Sequence, residues 1–291
     1  MSVIEAIAAP FRYPFMVRAL VASVLVGGLS AIVGSYVVLR SMAFLGDAIA
    51  HSVLPGVAVG FLVSGRGDRR ALFWWALLTA ILVSLGVGWT SRQGRIKEET
   101  AIGIVFAGMF SLGIALMSTV RGFAVDLVHF LFGNVLGASS WDITMIAIFG
   151  GGVILIIFLF YKEFLIVSFD PTLATTLRLP VASYRYLLLI LIATTVVVSL
   201  QTVGLALMLA MLITPATTGY LLARRLPGMM AIGSAVRILS GIIGLYLSFY
   251  FGIASGAAIV LVAIGFFLIV LLISPRRGFI RRILRSAKEG G

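Results

Sequence analysis

ASGAAIVLVAIGFFLIVLLI, residues 254–273, decides the fold class. The stretch carries no Asp, Glu, Lys, Arg or His, and its length matches the roughly 20 helical residues that cross a bilayer core about 30 Å thick. Working outward, comparable apolar runs recur near 230–250, 203–223, 186–200, 141–160, 101–119, 72–91, 43–64 and 15–39, nine in all. Helical spans are the economical reading of such runs. Eight is the rival count, because Gln201-Thr202-Val203-Gly204 is either a tight turn between two spans or a polar break within one passage; the turn is preferred. The expected fold class is all-α, a polytopic transmembrane helical bundle forming a single domain over 1–291.

Composition agrees. Of 291 residues 61% are hydrophobic and only 11% charged, with a mean hydropathy of +1.18, too apolar for a water-soluble domain of this size. There is no cysteine, which removes disulfide scaffolds, thiol catalysis and thiolate metal sites. The net charge of +12 comes from residues in the breaks between spans and at the carboxy end rather than from one folded face. Topology explains it better than nucleic acid.

Cytoplasmic loops retain Lys and Arg, so their distribution sets orientation. With nine spans and an outside amino terminus, fifteen fall inside and six outside. The inner set includes Arg40, Lys97, Arg178, Arg185 and the basic tail 275–291, an expected anchor to the anionic inner leaflet. Arg237 falls within a span near its inner end, where it is expected to snorkel. The first dozen residues lack a basic region followed by a cleavage site, so no removable signal peptide is expected.

Two connections are long enough to hold short helices. The outer one, about 120–140, has apolar residues around Asp126 and His129, which suits an interfacial helix in which His129 makes a structural hydrogen bond. The inner one, about 161–185, contains Asp170-Pro171-Thr172, an N-cap followed by proline at the first helical position. Leu173, Ala174 and Leu177 then lead to a stop before Pro180. A short capped helix facing the cytosol is expected there.

Asp47 and His51 are the most expensive residues for their context, within SMAFLGDAIAHSVLPG at 41–56. A carboxylate in a span costs on the order of 3 kcal/mol and requires a partner or a hydrated cavity. The i, i+4 spacing puts both on one helical face, about 6 Å apart at their β-carbons, with His51 about 12 Å from the inner start of the span, near mid-bilayer. Either the pair satisfies itself or it holds a divalent cation through one carboxylate oxygen and one imidazole nitrogen, ligands suited to Mn, Fe or Zn. One chain supplies only two ligands, so the metal reading predicts a homodimer around a shared path. Pro55 and Gly56, one turn on, would loosen the helix. Glu98 and Glu99 read as carboxylates favoured by a helix amino terminus. The small residues Gly27, Ala31, Gly34 and Ser35, and Gly241 with Gly244, read as close-packing positions. Two histidines more than 70 residues apart exclude a paired-histidine zinc protease, and no phosphate-binding glycine loop is present. Any ATP hydrolysis belongs to another subunit.

Six stretches together resemble the permease subunits of bacterial ATP-binding-cassette importers for manganese, zinc and ferrous iron, the ABC-3 family. They are LRSMAFLGDAIAHSVLPGVAVGF (39–61), KEETAIGIVFAGMFSLGIALMS (97–118), DLVHFLFGNVLG (126–137), FDPTLATTLRLP (169–180), VGLALMLAMLITPATTGYLL (203–222) and SGAAIVLVAIGFFLIVLLISPRRG (255–278). The resemblance implies a type II importer-like fold in the bacterial cytoplasmic (inner) membrane, with no permanently bound cofactor. It implies a second copy of the chain, a cytosolic ATPase dimer that uses ATP, and an extracytoplasmic metal-binding protein as partners. It implies that Asp47 and His51 line the path of Mn2+, Fe2+ or Zn2+, and that 170–179, with Asp170, Pro171, Thr172, Leu173, Ala174 and Leu177, is the coupling helix on the ATPase. Arg178-Leu179 stands where the family often has glycine after the helix, and Arg237 also departs from its pattern. The alternative is a proton-coupled secondary metal transporter with Asp47 and His51 as a proton relay.

Overall fold

The computed structural model describes residues 9–64, 68–92, 96–119 and 135–274. Every regular element among the described residues is helical, as hydrocarbon demands of a backbone that must satisfy its own polar groups. In chain order the helices are α1 Pro14–Leu39, α2 Ala43–Ser52, α3 Leu54–Ser64, α4 Arg69–Arg92, α5 Glu98–Ser118, α6 Ser140–Leu159, α7 Tyr161–Phe169, α8 Pro171–Thr176, α9 Val181–Val203, α10 Leu205–Leu222, α11 Leu226–Phe251 and α12 Ser255–Ile273. The segment with Asp126 and His129 and the basic tail 275–291 lie outside the described residues.

Counting α2 and α3 as one passage, eight of these are long and apolar enough to cross a membrane: α1, α2 with α3, α4, α5, α6, α9, α11 and α12. The remaining apolar run, 203–223, folds as α10, an 18-residue helix with Pro215 inside it. Gln201, Thr202 and Val203 complete α9, so the break falls on Gly204 alone, at φ 81°. That left-handed value favours glycine.

The described residues fall into two compact units. One holds α1, the start of α6 to Thr144, α10 from Ala210, α11 and α12; the other holds α2 to α5, α6 from Met145, and α7 to α9. In the second unit α9 is the spine: residues 191–200 are buried throughout, and α9 packs on α4, α2, α6 and α7. α2 and α3 lie against α5. The passage steps at Val53, which leaves Pro55 in the first turn of α3, where its missing N–H is harmless. Gly113 of α5 meets this step, and a β-carbon there would lie 2.7 Å from Leu54 Cβ and 3.1 Å from Pro55 Cδ. In the first unit α11 packs on α12, where a β-carbon on Gly244 would fall 2.5 Å from Ile259 Cα. Gly244 sets helix spacing as expected, and Gly113 does the same at a position the sequence did not single out.

Arg237 corrects an expectation. It does not snorkel: it is fully buried, donates to the sulfur of Met211, and its Nε and Nη1 have no hydrogen-bond partner among the described residues. The reason is where α11 starts. The helix begins at Leu226, eleven residues earlier, which puts position 237 about 16 Å along the axis, beyond the reach of a snorkelling side chain. Gly27 lies against it, with room for a β-carbon only 3.1 Å from Arg237 Cγ.

Candidate functional site

α2 presents Asp47 and His51 on one face, with His51 Nε2 3.3 Å from Asp47 Oδ1. Their side chains are 22% and 34% exposed respectively, so the pair is not sealed within its unit. The imidazole stands edge-on to Phe106 and Phe110 of α5, at centroid distances of 6.1 and 5.6 Å. Those two rings stack on each other at 5.6 Å, and Phe44 of α2 meets Phe106 edge-on. The aromatic wall flanks the ring, and both side chains of the pair stay part-exposed. Among the described residues His51 is the one polar side chain within bonding reach of Asp47, and no cluster of three or more His, Cys, Asp or Glu suited to a metal occurs. A cation held here by one chain would have two protein ligands and keep water on its other positions.

The inner segment folds as its residues indicate. Asp170 is the N-cap of α8, its Oδ1 accepting from the backbone N–H of Thr172 at 3.0 Å and Leu173 at 2.9 Å, and Pro171 takes the first helical position. The helix ends at Thr176, with Leu177 as its C-cap. The N–H of Leu179 donates to Ala174 O at 3.0 Å and that of Arg178 to Thr175 O at 2.9 Å, the paired bonds of a Schellman ending. Arg178 therefore sits at φ 57°, the left-handed position where glycine is favoured. Ala174 is buried, while Phe169, Leu173 and Leu177 are 61%, 48% and 53% exposed. Thus α8 anchors by its small residue and shows its large apolar ones.

A further arrangement was not legible in the sequence. Glu98, the first residue of α5, accepts on Oε1 from Arg40 Nη2 at 3.2 Å and from Arg185 Nε at 3.0 Å, and Arg185 Nη2 pairs with the same oxygen at 2.8 Å. Arg185 Nη2 also donates to Ser91 Oγ of α4 at 2.5 Å. Burial draws the Arg40 guanidinium below its ordinary value, Glu98 acts to raise it, and Arg185 lowers it further. The available signal was that Arg40 and Arg185 both fall on the inner side in the Lys and Arg tally, and that Glu98 opens a span at its inner end.

A family model described as the ABC 3 transport family matches residues 12–274. The manganese transport system membrane protein MntC of Halalkalibacterium halodurans is 42% identical over 95% of this chain and 94% of its own length. The chelated iron transport system membrane protein YfeD of Yersinia pestis is 36% identical over 91% of this chain and 88% of its own. Among solved structures, PsaBC from Streptococcus pneumoniae in complex with Fab aligns with a TM-score of 0.82 at 36% identity, covering 96% of this chain and 99% of that one.

Proposed function

Because this chain belongs to the ABC 3 transport family, a permease family of the bacterial cytoplasmic membrane, we propose that it is the membrane subunit of an ATP-driven importer of Mn2+, Fe2+ or Zn2+. The observation that carries this reading is the Asp47–His51 pair, ionisable and part-exposed in an apolar passage. A carboxylate oxygen with an imidazole nitrogen suits these three metals. Names of relatives that specify manganese and chelated iron support the same class.

Two copies of the chain face each other around the path, each supplying Asp47 and His51, so that four protein groups surround an ion that one chain would leave mostly hydrated. Such a site holds the ion loosely enough for release. An extracytoplasmic metal-binding protein delivers the ion. On the cytosolic side α8 docks in a cytosolic ATPase through Leu173 and Leu177, with Asp170, Pro171 and Thr172 fixing its start and Ala174 its seat. ATP binding to that partner moves α8 and opens the path to the other side.

The test is uptake of radioactive Mn, Fe and Zn by cells carrying Asp47→Asn or His51→Ala at wild-type membrane abundance. Both variants are expected to lose at least about tenfold, as removed metal ligation does. Wild-type uptake in both would overturn the assignment.

A further inference from the structure

We propose that Glu98, in the first turn of α5, is a positioning residue that clamps the link leading into α2 to the helix following α8, so that motion of α8 reaches the Asp47–His51 pair. This rests on the reading of α2 as the ion site and α8 as the ATPase contact.

The three sides of the clamp belong to one unit. Arg40 lies in the short link before α2, three residues ahead of Ala43, and Asp47 stands four residues into that helix, about 6 Å along its axis. Glu98 opens α5, eight residues ahead of Phe106, the ring against His51. Arg185 is in the second turn of α9. The connection from α8 to α9 is stiff: Leu179 is bonded back to Ala174, the N–H of Val181 donates to Leu179 O at 2.8 Å, and only Pro180, with its ring-fixed φ of −73°, lies between. α8 also packs on α9. A displacement of α8 therefore carries Arg185 with it.

The charges make Glu98 the node. One carboxylate holds two guanidiniums that would otherwise repel each other, and the side chains of Arg40, Arg185 and Glu98 are only 11%, 24% and 23% exposed, which limits screening. Among the described residues the Arg40 side chain bonds to Glu98, and its Nη1 is buried without a further partner there. Glu98→Gln keeps an acceptor oxygen but removes the charge, which turns a clamp into a repulsive contact.

The experiment uses the permease reconstituted in lipid vesicles with its ATPase and its metal-binding protein, and reads Mn2+ entry per ATP hydrolysed. Glu98→Gln is expected to keep ATP hydrolysis within about twofold while entry per ATP falls at least about fivefold, the low end of a typical coupling between sites. Glu98→Asp, shorter but charged, recovers most of the ratio. If Glu98→Gln does not assemble, Arg185→Lys is read instead; it keeps the charge, loses the two-point contact and is expected to lower the ratio. An unchanged ratio in the variant that assembles, including an equal fall in entry and hydrolysis, overturns the clamp. Asp47→Asn in the same vesicles separates the two readings: wild-type entry there removes the ion site, whereas lost entry beside an unchanged Glu98→Gln ratio removes only the clamp.

Discussion

Asp47 and Glu98 are carboxylates of the same unit with almost the same exposure, 22% and 23%, yet their surroundings differ completely. Glu98 receives two N–H groups, one from each of two arginines, and a further ion-pair contact from Arg185. Asp47 has one imidazole at 3.3 Å. Burial therefore does not separate a carboxylate that can take a cation from one that cannot; prior neutralisation by guanidinium does. Asp142 is a third case. It is 4% exposed and accepts from Ser139 N–H at 2.9 Å and Ser139 Oγ at 2.8 Å, a local bond set at the start of α6 that leaves little for a ligand.

The sharpest way to break this contrast is metal protection of the purified permease. Mn2+ at a hundred times its dissociation constant is expected to stabilise the wild type by about 2.7 kcal/mol, read as a rise in unfolding temperature. Glu98→Gln should keep that rise and Asp47→Asn should lose it; protection surviving in Asp47→Asn would erase the distinction. Without metal the order reverses. Glu98→Gln should cost about 1–2 kcal/mol, charge-assisted bonds discounted for partial exposure, whereas Asp47→Asn should stay within about 0.5 kcal/mol because its one contact is long. Thermal unfolding in detergent compares them, and equal losses would mean that Asp47 is as fully engaged as Glu98. A smaller effect calibrates a purely local carboxylate: Asp170→Ala should cost about 1 kcal/mol through the lost N-cap, while Asp170→Asn, which keeps the acceptor, costs a few tenths. Proteolytic sensitivity of the 161–185 connection reports it.

How much was readable from the sequence follows the range of the interaction. The spans were legible because hydrocarbon thickness sets their length, and α8 was legible because capping acts within four residues, from Asp170 to Leu173. The Asp47–His51 pair was legible because i, i+4 is a helical neighbour distance. The Glu98 clamp was not, since Arg40 and Arg185 are 58 and 87 residues away and no spacing rule joins them. The depth of Arg237 is hidden in the sequence because α11 begins before the apolar run at 230–250, with Leu226 at the first helical position and Pro227 behind it. The inner connection holds two helices where one was expected, because Phe160 at φ −105° and ψ 29° ends α6 and α7 begins at once, a break that an apolar sequence does not announce. Arg178, where the family pattern favours glycine, keeps the Schellman bonds nonetheless.

The account stands on Asp47 and His51 holding the transported ion. An anomalous difference map of the assembled, Mn2+-loaded transporter tests that most directly. The predicted result is a manganese peak within bonding distance of an Asp47 carboxylate oxygen and the His51 Nε2. A peak elsewhere along the path, with these two side chains turned to lipid, would contradict it.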